Sequence, residues 1–114
     1  MLPSRLRLRQ RSLFARVYTK GRSYRTDLVV VYVLPSNGRA SRVGFSVSKK
    51  LGGGVARNRT RRVLQEATRQ LVPLIADGYD VVVVARSRAA EASYWDVLEA
   101  LKLAFRKAGV LEHA

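Results

Sequence analysis

The run Leu28-Val29-Val30-Val31-Tyr32-Val33-Leu34 is nearly all apolar and dominated by β-branched side chains, which makes it a strand before anything else about the chain is considered. Asp80-Val81-Val82-Val83-Val84-Ala85 repeats the pattern as a second, buried-type strand. Neither run approaches the roughly 20 apolar residues that cross a bilayer. The remaining elements are read around these two. Pro35-Ser36-Asn37-Gly38 supplies turn residues, so residues 28–34 are expected to form a hairpin with a return strand at 42–48. In that strand Val43, Phe45 and Val47 fall on one face and Gly44, Ser46 and Ser48 on the other.

Helical spacing appears in three places. Leu13, Phe14, Val17 and Tyr18 predict a short helix over residues 11–20, with Gly21 where it would stop. Gly52-Gly53-Gly54 breaks regular structure, and residues 55–72 then follow a helical period until Pro73. Ser93 opens a last helix whose Val97, Leu98, Leu101, Ala104 and Phe105 form the packing face, and Gly109 ends it. The order helix, strands, helix, strand, helix describes a mixed α+β sandwich. With 114 residues, 47% of them hydrophobic, the chain is expected to be one domain with its own core. Residues 1–10 are expected to be a mobile basic arm. No repeat, low-complexity tract or linker is visible.

Charge narrows the function. The chain carries 22 Lys plus Arg against 8 Asp plus Glu, a net charge of +14, so its natural partner is a polyanion. Most of the cations are Arg, whose planar fork binds phosphate bidentately and stacks on bases, as RNA recognition requires. Membrane lipid remains another possible anion. Met1-Leu2-Pro3-Ser4-Arg5 lacks the uninterrupted apolar core of a secretory signal, and there is no cysteine for disulfides or thiolate metal sites. A cytoplasmic location is the expectation.

Turned at about 100° per residue, the central helix gathers Val63, Leu64, Ala67 and Leu71 on one side and Asn58, Arg61, Arg62, Gln65 and Arg69 on the other. Arg57 and Arg59 flank the outer stripe beside the glycine turn, whose amides can approach phosphate closely. A solvated face is the ordinary explanation of a charge run. Such a face usually mixes signs, however, and Glu66 is the only acid between Asp27 and Asp77. The uncompensated repulsion points to nucleic acid.

Here the chain resembles the bacterial ribonuclease P protein family. Val47-Ser48-Lys49-Lys50, a glycine turn and Arg57-Asn58-Arg59 resemble its signature, followed by Arg61-Arg62-Val63-Leu64 and Glu66-Ala67. The likeness extends to Phe14 and Tyr18 before Lys20-Gly21, Tyr32, Arg42-Val43-Gly44-Phe45, and residues 80–86. Gln65, where the family usually has Arg, and Gly53-Gly54, in place of Asn-Ala, depart from the pattern.

The resemblance implies an α+β two-layer sandwich in the order α-β-β-β-α-β-α, with a four-stranded sheet and a left-handed βαβ crossover, against the general right-handed rule. It implies binding of the catalytic RNA by Lys49, Lys50, Arg57, Asn58, Arg59, Arg61, Arg62 and Arg69. It implies a cleft for the single-stranded 5′ leader of precursor tRNA formed by Phe14, Tyr18, Tyr32, Ser46 and Ser48. For Phe14 a core role weighs equally; Tyr18 and Tyr32, with their hydroxyls, are the better cleft candidates.

A metal-dependent protein nuclease needs clustered carboxylates, and an acid–base one usually needs placed histidines. The single histidine, His113, is next to the last residue, and Asp27, Asp77, Asp80, Glu91, Asp96 and Glu99 read mostly as turn and cap residues. No catalytic residue is expected in the protein. The resemblance assigns the chemistry to the RNA subunit and its magnesium, with ribonuclease P RNA and precursor tRNA as partners and no obligatory protein partner. A protein-bound metal is left open. Charge, size and the absence of catalytic groups suit a ribosomal or other structural RNA-binding protein equally well; the motif separates the two.

Overall fold

The computed structural model describes residues 7–36 and 40–112. Along them run α1 (Arg11–Lys20), β1 (Arg22–Arg25), β2 (Val29–Pro35), β3 (Arg42–Ser46), α2 (Gly54–Leu71), β4 (Tyr79–Ala85) and α3 (Tyr94–Ala108). His113 and residues 1–6 of the expected arm lie outside the described residues. The rest of that arm is docked: Leu8 is buried, its N–H donates to the Val43 carbonyl at 3.0 Å, and Arg7 bridges Val43 in parallel.

The four strands lie in the order β1-β2-β4-β3. β2 is antiparallel to both β1 and β4, while β3 is parallel to β4. The expected hairpin between residues 28–34 and 42–48 therefore does not form, because β4 lies between the two strands. Burial explains the difference. Val81, Val82 and Val83 are all fully buried, so β4 needs a strand on each edge and cover on each face. Running β3 through α2 into a parallel β4 provides both, and the connection is the left-handed βαβ crossover. The real hairpin joins β1 to β2, where Thr26 Oγ1 accepts from the Leu28 and Val29 amides at 3.3 and 3.1 Å. β1 has no apolar alternation; it is Arg-Ser-Tyr-Arg on an exposed edge.

Register sorts the side chains into two faces. Val31, Val83 and Phe45 align across the sheet, as do Val33, Val81 and Val43. On these pack Leu64, Ala67 and Leu71 from α2 and Val97, Leu101 and Phe105 from α3. The opposite face carries three rows: Leu34, Asp80 and Arg42; Tyr32, Val82 and Gly44; Val30, Val84 and Ser46. α1 lies over the middle of that face, with Val17, Leu8 and Val82 as its buried centre. α3 starts as expected at Ser93, whose Oγ accepts from the Asp96 amide, and stops at Gly109 with φ of 72°, a left-handed conformation that favours glycine.

Asp80, grouped in the sequence with turn and cap residues, is neither. It is buried within β4, where its two carboxylate oxygens accept from Arg42 Nε and Nη2 at 3.1 and 3.0 Å. A buried pair of this kind is costly to break from one side, because the remaining charge keeps its desolvation penalty. Asp80→Ala is expected to lower the unfolding free energy by about 2–3 kcal/mol in urea titration, with part recovered when Arg42→Met is added.

Candidate nucleic-acid interface

α2 begins without a side-chain cap and without an acidic residue in its first turn, so its leading amides and positive dipole end are uncompensated. Gly52 precedes it with φ of 125° and Cβ space limited by Ala56 at 3.0 Å, so glycine is required there. Gly53 and Gly54 face open space, and a side chain at either would meet nothing. Lys49 and Lys50 stand exposed on the 3-10 turn just before.

The basic residues of α2 do not form one stripe. Asn58, Arg59, Arg62 and Arg69 are exposed, whereas Arg57 and Arg61 are half-buried. Arg61 Nη1 donates to Asn58 Oδ1 at 3.1 Å and Arg62 Nε to the Asn58 carbonyl at 3.4 Å, so Asn58 holds two guanidinium groups in place. Arg59 turns the other way and donates to the Ala90 carbonyl at 3.3 Å. Arg57 Nε is buried with no acceptor. Arg69 alone of the set meets a carboxylate, Glu66 at 3.5 Å, an exposed pair of little energetic weight.

Gln65 departs from the expected outer stripe: it is 8% exposed. With Arg61 it lines a recess of about 220 Å³ whose other walls include Arg7, Leu8, Phe14 and Gly44. The docked N-terminal segment covers the β3 edge and turns this side of α2 inward. The signal was in the alternation Arg7-Leu8-Arg9, which puts Leu8 on the opposite side of the segment from its two cationic neighbours.

On the other side of the sheet Phe14, Tyr18 and Tyr32 come together. Phe14 and Tyr18 meet edge to face at 6.3 Å between centroids, and Tyr18 and Tyr32 at 4.9 Å. Phe14 fills the space over Gly44: a Cβ there would sit 2.8 Å from Phe14 Cε1 and 2.9 Å from the Leu8 carbonyl. Its role is therefore largely packing, while Tyr18 is 39% exposed and Tyr32 half-buried. Beside this ladder on the same face runs the row Val30, Val84 and Ser46, all half-buried; sequence reasoning did not place Val30 and Val84 beside the aromatic residues. Ser48 lies past the end of β3 and is exposed. Among the described residues no three His, Cys, Asp or Glu side chains cluster as metal ligands would.

A family model described as Ribonuclease P matches residues 2–109. The chain belongs to the ribonuclease P protein family. A ribonuclease P protein component from Caldanaerobacter subterraneus subsp. tengcongensis is 38% identical over 106 residues, spanning 93% of this chain and 91% of its own. The Staphylococcus aureus RNase P protein superposes with a TM-score of 0.84 at 31% identity, over 94% of this chain and 98% of that one. The Thermotoga maritima RNase P protein gives 0.79 at 31% identity, over 88% and 96%. Ribonuclease P family membership accounts for the α+β fold and for the signature around α2, and it fixes a role in the ribonuclease P ribonucleoprotein.

The fit of Phe14 over Gly44 fixes the position of the ring on the sheet. Gly44→Val is expected to displace the ring and destabilise the protein by about 1–3 kcal/mol, read as a lowered midpoint in thermal unfolding.

Proposed function

We infer that this chain grips two RNAs at once: the catalytic RNA of ribonuclease P along the N-terminal half of α2, and the single-stranded 5′ leader of precursor tRNA in the groove between α1 and the sheet. The observation that carries the reading is the state of the α2 arginines. Arg57, Arg59, Arg61 and Arg62 have no carboxylate partner among the described residues, and one buried guanidinium nitrogen of Arg57 has no acceptor at all. A guanidinium without a carboxylate partner keeps its solvent-facing donors for charge-assisted hydrogen bonds to phosphate. Lys49, Lys50 and the uncapped start of α2 extend the same anion surface.

The groove has different chemistry. Its rings offer π-faces to unpaired bases without selecting among them, and Ser46 and Ser48 add hydroxyls at the β3 end. A subunit serving many precursors needs such tolerance. Bond cleavage is then left to the RNA subunit and its magnesium. The protein neutralises crowded phosphates, holds the leader, and so lowers the magnesium requirement, in a cytoplasmic particle. No described helix is long and apolar enough to cross a membrane.

Reconstitution tests the reading directly. Added to bacterial ribonuclease P RNA and precursor tRNA at low magnesium, the chain should stimulate 5′ cleavage; absence of stimulation would favour a structural RNA-binding role. Cleavage by the RNA-free protein would move the chemistry into this chain.

Arg57→Ala combined with Arg61→Ala should weaken assembly with the catalytic RNA and reduce the slope of log K against log salt by roughly two, about one unit per lost phosphate contact. An unchanged slope in filter binding across a salt series would remove α2 from the interface. Tyr18→Ala should raise KM for precursor tRNA by about tenfold, the worth of one stacked base, with affinity for the catalytic RNA nearly unaltered. Equal loss of both would reject separate surfaces.

A further inference from the structure

A recess of about 300 Å³ opens where α1 passes into β1, on the face of the sheet opposite Tyr18 and Tyr32. Lys20, Arg22, Tyr24 and Tyr79 wall it over a floor of Val33 and Pro35. Register explains the grouping: Arg22 and Tyr24 alternate to the same side of β1, Arg22 opposite Val33, while Tyr79 of β4 lies opposite Pro35 of β2.

The side chains of Lys20 and Arg22 are exposed and make no hydrogen bond or ion pair with any described residue. Tyr24 and Tyr79 are half-buried, and their hydroxyls likewise have no partner among the described residues. Among the described residues no carboxylate lines the recess. The larger recess of about 520 Å³, between the β1–β2 turn and α3, differs in this respect: Asp27, Asp96 and Glu99 there balance Arg88, Lys102 and Arg106, and no ligand of a single sign is selected.

Two cations of one sign, two half-buried phenol rings and free hydroxyls make a definite combination. The cations suit a phosphate, the rings suit a base, and the hydroxyls suit a base edge or ribose. The volume is at the lower end of small-ligand sites, which admits one nucleotide and excludes a duplex. We propose that this recess is a nucleotide subsite, in which an unpaired base packs against Tyr24 and Tyr79 while its phosphate is held by Lys20 and Arg22. It lies on the far face of the sheet from the proposed leader groove and does not depend on that groove. Two RNAs present the same chemistry: the 5′ extension of a precursor tRNA, and an unpaired position in the catalytic RNA.

Photocrosslinking with a short single-stranded oligoribonucleotide containing 4-thiouridine, followed by peptide mapping, tests the subsite on the full chain. Adducts are expected at Tyr24 or Tyr79, in addition to any at Tyr18 and Tyr32. Lys20→Ala with Arg22→Ala should reduce the Tyr24 and Tyr79 adducts by about tenfold through loss of the phosphate contacts, leaving the others unchanged. Both substitutions are at exposed positions, so the fold is retained. Adducts confined to Tyr18 and Tyr32 overturn the subsite and leave the groove standing; adducts confined to Tyr24 and Tyr79 do the reverse. In the assembled particle, thiouridine placed in the leader or in the catalytic RNA identifies the source, and failure of both RNAs to reach Tyr24 or Tyr79 also overturns the proposal.

Discussion

A strand with apolar side chains on both faces has no orientation in which it can meet water, and β4 is such a strand. Val81 and Val83 point to the α2 and α3 side, Val82 to the α1 side, and all three are fully buried. The architecture follows from satisfying them. Strands must flank β4 on both edges, which inserts it between β2 and β3, and helices must lie over both faces. α2 is the connection that makes β3 parallel to β4, so the arginine-bearing helix is fixed to the sheet by the same requirement that buries the core. α1, covering Val82, brings Phe14 and Tyr18 to Tyr32.

The elements legible in the sequence were those whose pattern is local. α1, α2 and α3 appear within a residue or so of their expected limits, and Ser93 and Gly109 bound α3 as their chemistry dictates. The pairing of strands was not legible, because a turn sequence such as Pro35-Ser36 reports where the chain bends and not which strand it next meets. β1, counted by the family resemblance, was not located by the residue pattern for a related reason: an edge strand of Arg, Ser, Tyr and Arg has no apolar alternation and gains its structure from hydrogen bonding to β2. Asp80 misled similarly, since a carboxylate at the start of an apolar run looks like an edge residue until its partner, 38 positions away, is seen.

The site residues divide along the same line. Tyr18 and Tyr32 come together in the fold, and Lys49, Lys50, Asn58 and Arg62 stand outward as their positions implied. Gln65 does not, because the helical wheel of α2 contains no information about Arg7 and Leu8 lying against the β3 edge. That docking also explains why a residue other than Arg is accommodated there: an inward position at 8% exposure suits a neutral amide better than a guanidinium without a carboxylate. The α2 cations thus point in several directions, toward the backbone at Ala90, toward the β3 edge and outward, and they present a curved positive surface in place of a flat stripe.

The two margins of the sheet are closed in contrasting ways. On the β3 side the Arg7 bridge and the Leu8 amide occupy part of the backbone that another chain would need; on the β1 side Arg22, Ser23 and Arg25 leave the ladder open but line it with charge and a small hydroxyl. Open ladders invite intermolecular strand addition, and repulsion between like-charged margins opposes it. The cations along the open margin thereby supply the chain with a built-in barrier to fibrillar self-association.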